Sequence, residues 1–67
     1  MVFKSFTVEA TFESGQMVGG LRSHLAANGS GWLNTKKSFL DGYVEVEVAT
    51  YNPLVMSYVE DKLAAFV

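Results

Sequence analysis

The chain has 67 residues, 49% of them apolar and 18% charged, with no cysteine, one histidine and a net charge of −2 from five basic and seven acidic side chains. That length holds one core, so residues 1–67 are expected to form a single domain, and the apolar balance is that of a folded chain, not a disordered one. Disulfides are excluded, zinc lacks its thiolate and imidazole ligands, and the charge gives no attraction to nucleic acid or to an anionic membrane.

Such a short chain buries only about 60% of the surface that its unfolded form exposes, which leaves a lone monomer little net stability. With disulfides and zinc removed, oligomerisation remains as the supplement to the core, a homodimer being the simplest form. The segment Met1–Phe6 has neither a basic cluster nor a continuous apolar run. No stretch approaches the roughly 18 uninterrupted apolar residues of a membrane span, so the reading is a cytoplasmic protein with no membrane partner.

In chain order, Val2, Phe6, Val8, Ala10 and Phe12 alternate with Phe3, Ser5, Thr7, Glu9 and Thr11, the period-two pattern of a half-buried strand. Lys4 is the one charge on its inner row. Glu13-Ser14-Gly15 breaks the alternation, and Met17, Val18, Leu21, His24 and Leu25 follow at helical spacing up to a C-cap at Asn28-Gly29. Gly19 and Gly20 would each cost this helix about 1 kcal/mol relative to alanine, so it must be held by packing.

After the flexible connector Asn28-Gly29-Ser30-Gly31, two strands are predicted over Trp32–Leu40 and Tyr43–Thr50, joined by Asp41-Gly42 as a two-residue type I′ turn. That turn sets Leu40 opposite Tyr43, Ser38 opposite Glu45 and Lys36 opposite Glu47 on one face, and Phe39 opposite Val44 on the other. The Val44, Val46 and Val48 row gives the third strand a central character and leaves the second at an edge. Asn52 as N-cap and Pro53 in the first turn open a last helix whose apolar face is Val55, Tyr58, Val59, Leu63 and Phe66.

The order β-α-β-β-α predicts an α+β fold, a three-stranded antiparallel sheet with two helices on one face. It corresponds to the ferredoxin-like split βαβ without its sixth strand, the first strand lying beside the third. The free edge of the first strand, or the outer sheet face, is then where a second copy would sit. Lys4 and Lys37, charges on inward rows of outer strands, favour the face over the edge.

That outer face collects Phe3, Trp32, Leu40, Tyr43 and Tyr51 among polar residues, the composition of a partner interface. Glu9, Glu45 and Glu47 on the same face offer oxygens to a hard cation, but a Lys36–Glu47 pair would satisfy the charge without one, and the Asp-rich loop of a calcium site is missing. His24 lacks any nucleophile at catalytic spacing, so no catalytic residue is predicted. The glycine clusters fit no phosphate-binding fingerprint, close packing and a flexible turn being their expected roles. No cofactor is implied.

The leading expectation is a non-enzymatic interaction or regulatory module acting as a homo-oligomer, with a heterologous protein as a further partner. One alternative is a single-stranded nucleic-acid-binding module using Trp32, Lys36 and Lys37, with Arg22 nearby. It is disfavoured by glutamates where stacking rings would sit. The other is a small-ligand or enzyme subunit whose site forms only between copies. Fold alone decides among none of these.

Overall fold

The computed structural model describes residues 1–67. Its elements are β1 (Val2–Glu9), α1 (Phe12–Asn28), β2 (Gly31–Lys37), β3 (Tyr43–Thr50), α2 (Pro53–Leu63) and a closing 3₁₀ turn, Ala64–Phe66. The strands form one antiparallel sheet in the order β1-β3-β2, as the valine-rich third strand requires. Both helices pack on one face of it. A single cluster joins Val8, Val46, Val48 and Leu33 of the sheet to Val18, Leu21 and Leu25 of α1 and Met56, Val59 and Leu63 of α2. This is the split βαβ arrangement that the order of elements predicts.

The first strand ends sooner than its alternation suggests, and Phe12 belongs to α1, where it is exposed. Local hydrogen bonds win over the pattern. Thr11 is the N-cap: the Ser14 backbone N–H donates to the Thr11 hydroxyl at 3.1 Å, and the Thr11 N–H donates to the Ser14 hydroxyl at 3.0 Å. This reciprocal box satisfies two donors that a helix start otherwise leaves open. Glu13-Ser14-Gly15, read as a break in the sequence, is therefore the first turn. At the other end Gly29 takes the expected left-handed conformation, φ 58°, and returns its N–H to the Leu25 and Ala26 carbonyls.

The glycines of α1 have a different role from the one expected. A Cβ at Gly15, Gly19 or Gly20 would meet no atom within 4 Å, so close packing does not account for them. They leave stretches of helix backbone bare. Gly19→Ala and Gly20→Ala are expected to stabilise the fold by about 1 kcal/mol each, read as a rise in urea midpoint at constant m-value.

The β2–β3 hairpin has its own register. Lys37 pairs with Val44, Thr35 with Val46 and Leu33 with Val48, two residues away from the pairing that a two-residue turn would give. The shift moves Lys37 from the centre of the sheet towards its end and brings Leu33 into the core, so burial decides it. Residues 38–42 form a five-residue loop that carries Phe39 and Leu40 into solvent. Gly42 has the positive φ expected, 83°, but no other residue of the loop does, so the turn is not type I′. The Tyr43 N–H donates to the Leu40 carbonyl at 3.2 Å, placing Gly42 third in a type II turn.

Asn52 and Pro53 open α2 as expected, the Leu54 N–H donating to the Asn52 side chain at 2.9 Å. Its buried row is Met56, Val59 and Leu63, with Val55 and Phe66 half-buried against it. Tyr58, expected in the apolar face, is exposed, and Met56 fills the place facing the sheet.

Candidate interaction surface

With both helices on one side, the other face of the sheet has no layer over it. Alternation puts Phe3, Ser5, Thr7 and Glu9 of β1, Tyr43, Glu45, Glu47 and Ala49 of β3, and Trp32, Asn34 and Lys36 of β2 on that face. Their rows follow from the register, and each has its own chemistry.

The row at one end is Phe3–Ala49–Trp32. The two rings stand 6.0 Å apart at 58°, a tilted aromatic pair, and between them Ala49 is only 1% exposed although it lies on the open face. Ala49 is small enough to form a floor beneath both rings. Phe3 remains 55% and Trp32 45% exposed, so the pair shelters Ala49 and still presents a broad apolar surface.

The middle of the face is polar and internally satisfied. The Ser5 hydroxyl donates to Glu45 Oε2 at 2.8 Å and the Thr7 hydroxyl to Glu45 Oε1. Lys36 lies opposite Glu45 in the register but reaches diagonally to Glu47, Nζ to Oε2 3.2 Å. The expected Lys36–Glu47 pair thus exists without being directly cross-strand. The Thr7 and then the Ser5 hydrogen bond favour the charged carboxylate and hold Glu45 below the ordinary carboxylate range, Lys36 adding a smaller pull in the same direction. A lowered folded-state pKa means that this contribution to stability is present above the unfolded value and is lost as pH falls through the folded one. Thr7→Val is therefore expected to raise the Glu45 midpoint in an NMR titration and to flatten the acid limb of the stability curve.

Tyr43 lies at the far end, opposite Glu9 and six residues along β3 from Ala49, roughly 20 Å at about 3.3 Å per residue. The structure thus brings together Phe3 and Trp32 of the expected interface residues and separates the rest. Leu40 is in the 38–42 loop and outside the strand, and Tyr51 follows the end of β3 and is exposed. Ala49, Ser5 and Thr7 were not singled out by sequence reading. Their positions on the outer row were legible, but Ala49 carries no hydrophobic signal of its own.

The basic residues diverge. Lys36 is engaged by Glu47, Lys37 lies on the helix-side row, and Arg22 of α1 donates from Nε to the Leu33 carbonyl at 3.4 Å. Three glutamates share the open face with Lys36 as its only cation. No three His, Asp or Glu side chains are grouped closely enough to hold a metal ion.

Two recesses flank α1. One, of about 420 Å³, lies between its first turns and the sheet, lined by Ser14, Gly15, Gly19, Arg22, Thr35 and Val44 among others. The second, about 470 Å³, runs between the helices, with Gln16, Met17, Gly20, His24, Tyr58 and Phe66 in its walls. There the His24 ring lies 5.1 Å from Tyr58, and Lys62 Nζ is 5.5 Å from the same ring. That groove offers His24 no serine, threonine or cysteine to activate.

No protein-family model matches the chain, and neither the curated proteins nor the solved structures include one similar to it. No helix is long and apolar enough to cross a membrane.

Proposed function

We propose that the protein is a small non-enzymatic interaction module that acts as a homo-oligomer and uses the open sheet face around Phe3 and Trp32 for contact. The observation that carries this reading is the aromatic pair over Ala49, about half exposed on a face that no helix covers. A core of ten buried residues supports it too, since association adds burial that so small a core lacks. Glu45 and Glu47, on the same face as the pair, favour an apolar partner surface over a phosphate backbone.

The test is solution mass by light scattering over protein and salt concentration, for the parent chain and for Phe3→Ser/Trp32→Ser. Salt-insensitive self-association of the parent, weakened in the double variant with unchanged circular dichroism, is the expected result. A parent that stays monomeric throughout overturns the homo-oligomer. A double variant that assembles like the parent removes the face from the contact.

A further inference from the structure

We infer that copies of this chain join through the outer edge of β1, two β1 strands pairing antiparallel about a two-fold axis so that their sheets become one. The inference rests on the reading that the chain self-associates, and assigns the seam.

It starts from which backbone groups the edge presents. The Ala10 N–H donates to the Gly42 carbonyl at 2.8 Å, in line with the β1–β3 register, in which residue numbers of partners sum alike. Antiparallel ladders alternate, so Val2, Lys4, Phe6 and Val8 direct their amides to β3 while Phe3, Ser5 and Thr7 direct theirs away from it. No group within the 67 residues bonds to those outward amides and carbonyls. The Glu9 carbonyl is different: the Thr11 N–H and the Ser14 hydroxyl both occupy it and close the edge at that end. What remains is a short template on which the residues with outward backbone groups, Phe3, Ser5 and Thr7, are uncharged.

The opposite edge is treated otherwise. On β2 the outward groups belong to Leu33, Thr35 and Lys37, and Arg22 reaches across from α1 to the Leu33 carbonyl at 3.4 Å. α1 packs along β2, and two lysines close the strand, the devices by which proteins keep an edge from pairing. One edge is thus obstructed and the other is not.

Lys4, which in the sequence stands as a charge against edge pairing, is turned to the helix layer and held by Glu60 of α2. Its charge is met within the chain. An antiparallel pair also keeps the two copies of Lys4 off each other when Ser5 lies opposite Ser5 of the second copy, since Phe3 then pairs with Thr7 and Lys4 faces Phe6. Phe6, only half-buried at the rim of the core, gains cover in that arrangement. The open faces of the two sheets come to lie on one side, which sets two Phe3–Trp32 pairs on a common surface.

The test is amide hydrogen exchange by NMR at low and high protein concentration, together with solution mass. On association the Phe3, Ser5 and Thr7 amides are expected to slow at least about tenfold while those of Leu33, Thr35 and Lys37 keep their rates. Ser5→Pro, which removes an outward N–H and leaves the β3 ladder its own donors, is expected to give a folded monomer. Should that variant misfold, the exchange measurement alone decides. Protection that persists in Phe3→Ser/Trp32→Ser identifies the edge as a seam even where the face proves uninvolved. An oligomer whose Phe3, Ser5 and Thr7 amides stay fast overturns the edge and leaves self-association standing, whereas a monomer at every concentration overturns both.

Discussion

Val46→Asp is expected to abolish the fold at neutral pH. Val46 is fully buried in the central strand, between Phe6 of β1 and Thr35 of β2, and belongs to the cluster that both helices cover. No basic side chain is in that cluster to pair with a carboxylate. An unpaired buried charge costs several kcal/mol, against a total stability of about 3–10 kcal/mol for a chain of this size. The comparison with Val46→Ala separates charge from volume, since truncation removes apolar contacts at about 2 kcal/mol and should leave a weakened native state. Glu47→Val, one residue along and on the opposite face, is expected to keep the fold. Loss of amide dispersion in the NMR spectrum of Val46→Asp alone is the signature. A native spectrum for that variant would mean that the faces of β3 are inverted, and with them the open surface on which the proposed contact depends.

The strands and their faces were legible because alternation records which side of a sheet is buried, and that record survives any slip of two residues. For the same reason it is blind to such a slip. Leu33 and Thr35 exchange places opposite Val48 without either leaving the inner row, so the pattern could not choose between the registers. Asp41-Gly42 marked the position of a turn and the need for a positive φ at Gly42, but dipeptides do not fix the length of the loop around them. Leu40 was placed on the outer sheet face on that basis and lies in the loop. Phe12 continued the alternation by coincidence, and two local hydrogen bonds between Thr11 and Ser14 outweighed it. Phe3 and Trp32 could be assigned to one face from parity alone. That they meet over Ala49 depends on two registers at once, and no local pattern carries that information. Edge chemistry was half visible: the lysines of β2 stand in the sequence, whereas the capture of Lys4 by Glu60 links residues 56 apart.

Gly31→Ala is expected to destabilise the protein by about 2–4 kcal/mol, the opposite sign from alanine at Gly19 or Gly20. A Cβ at Gly31 would fall on the Ala49 carbonyl oxygen and 2.7 Å from the Thr50 Cα, both backbone atoms of the central strand. They have little freedom to retreat. Ala49 and Thr50 are buried, and the Thr50 hydroxyl and the Tyr51 N–H both donate to the Ser30 carbonyl, at 2.7 and 3.0 Å, which ties the start of β2 to the end of β3. The strain is therefore relieved on the β2 side, by peeling its first residues away. Trp32 is the next residue, so its ring should leave Ala49 and Phe3, and its fluorescence should shift to the red before global unfolding in a urea titration. If the open face is a contact surface, Gly31→Ala weakens assembly in proportion to that displacement, while Gly19→Ala, on the helix side, leaves assembly as it was. Equal stability for Gly31→Ala and the parent would contradict the close approach of β2 to β3, and with it the register that brings the two rings together.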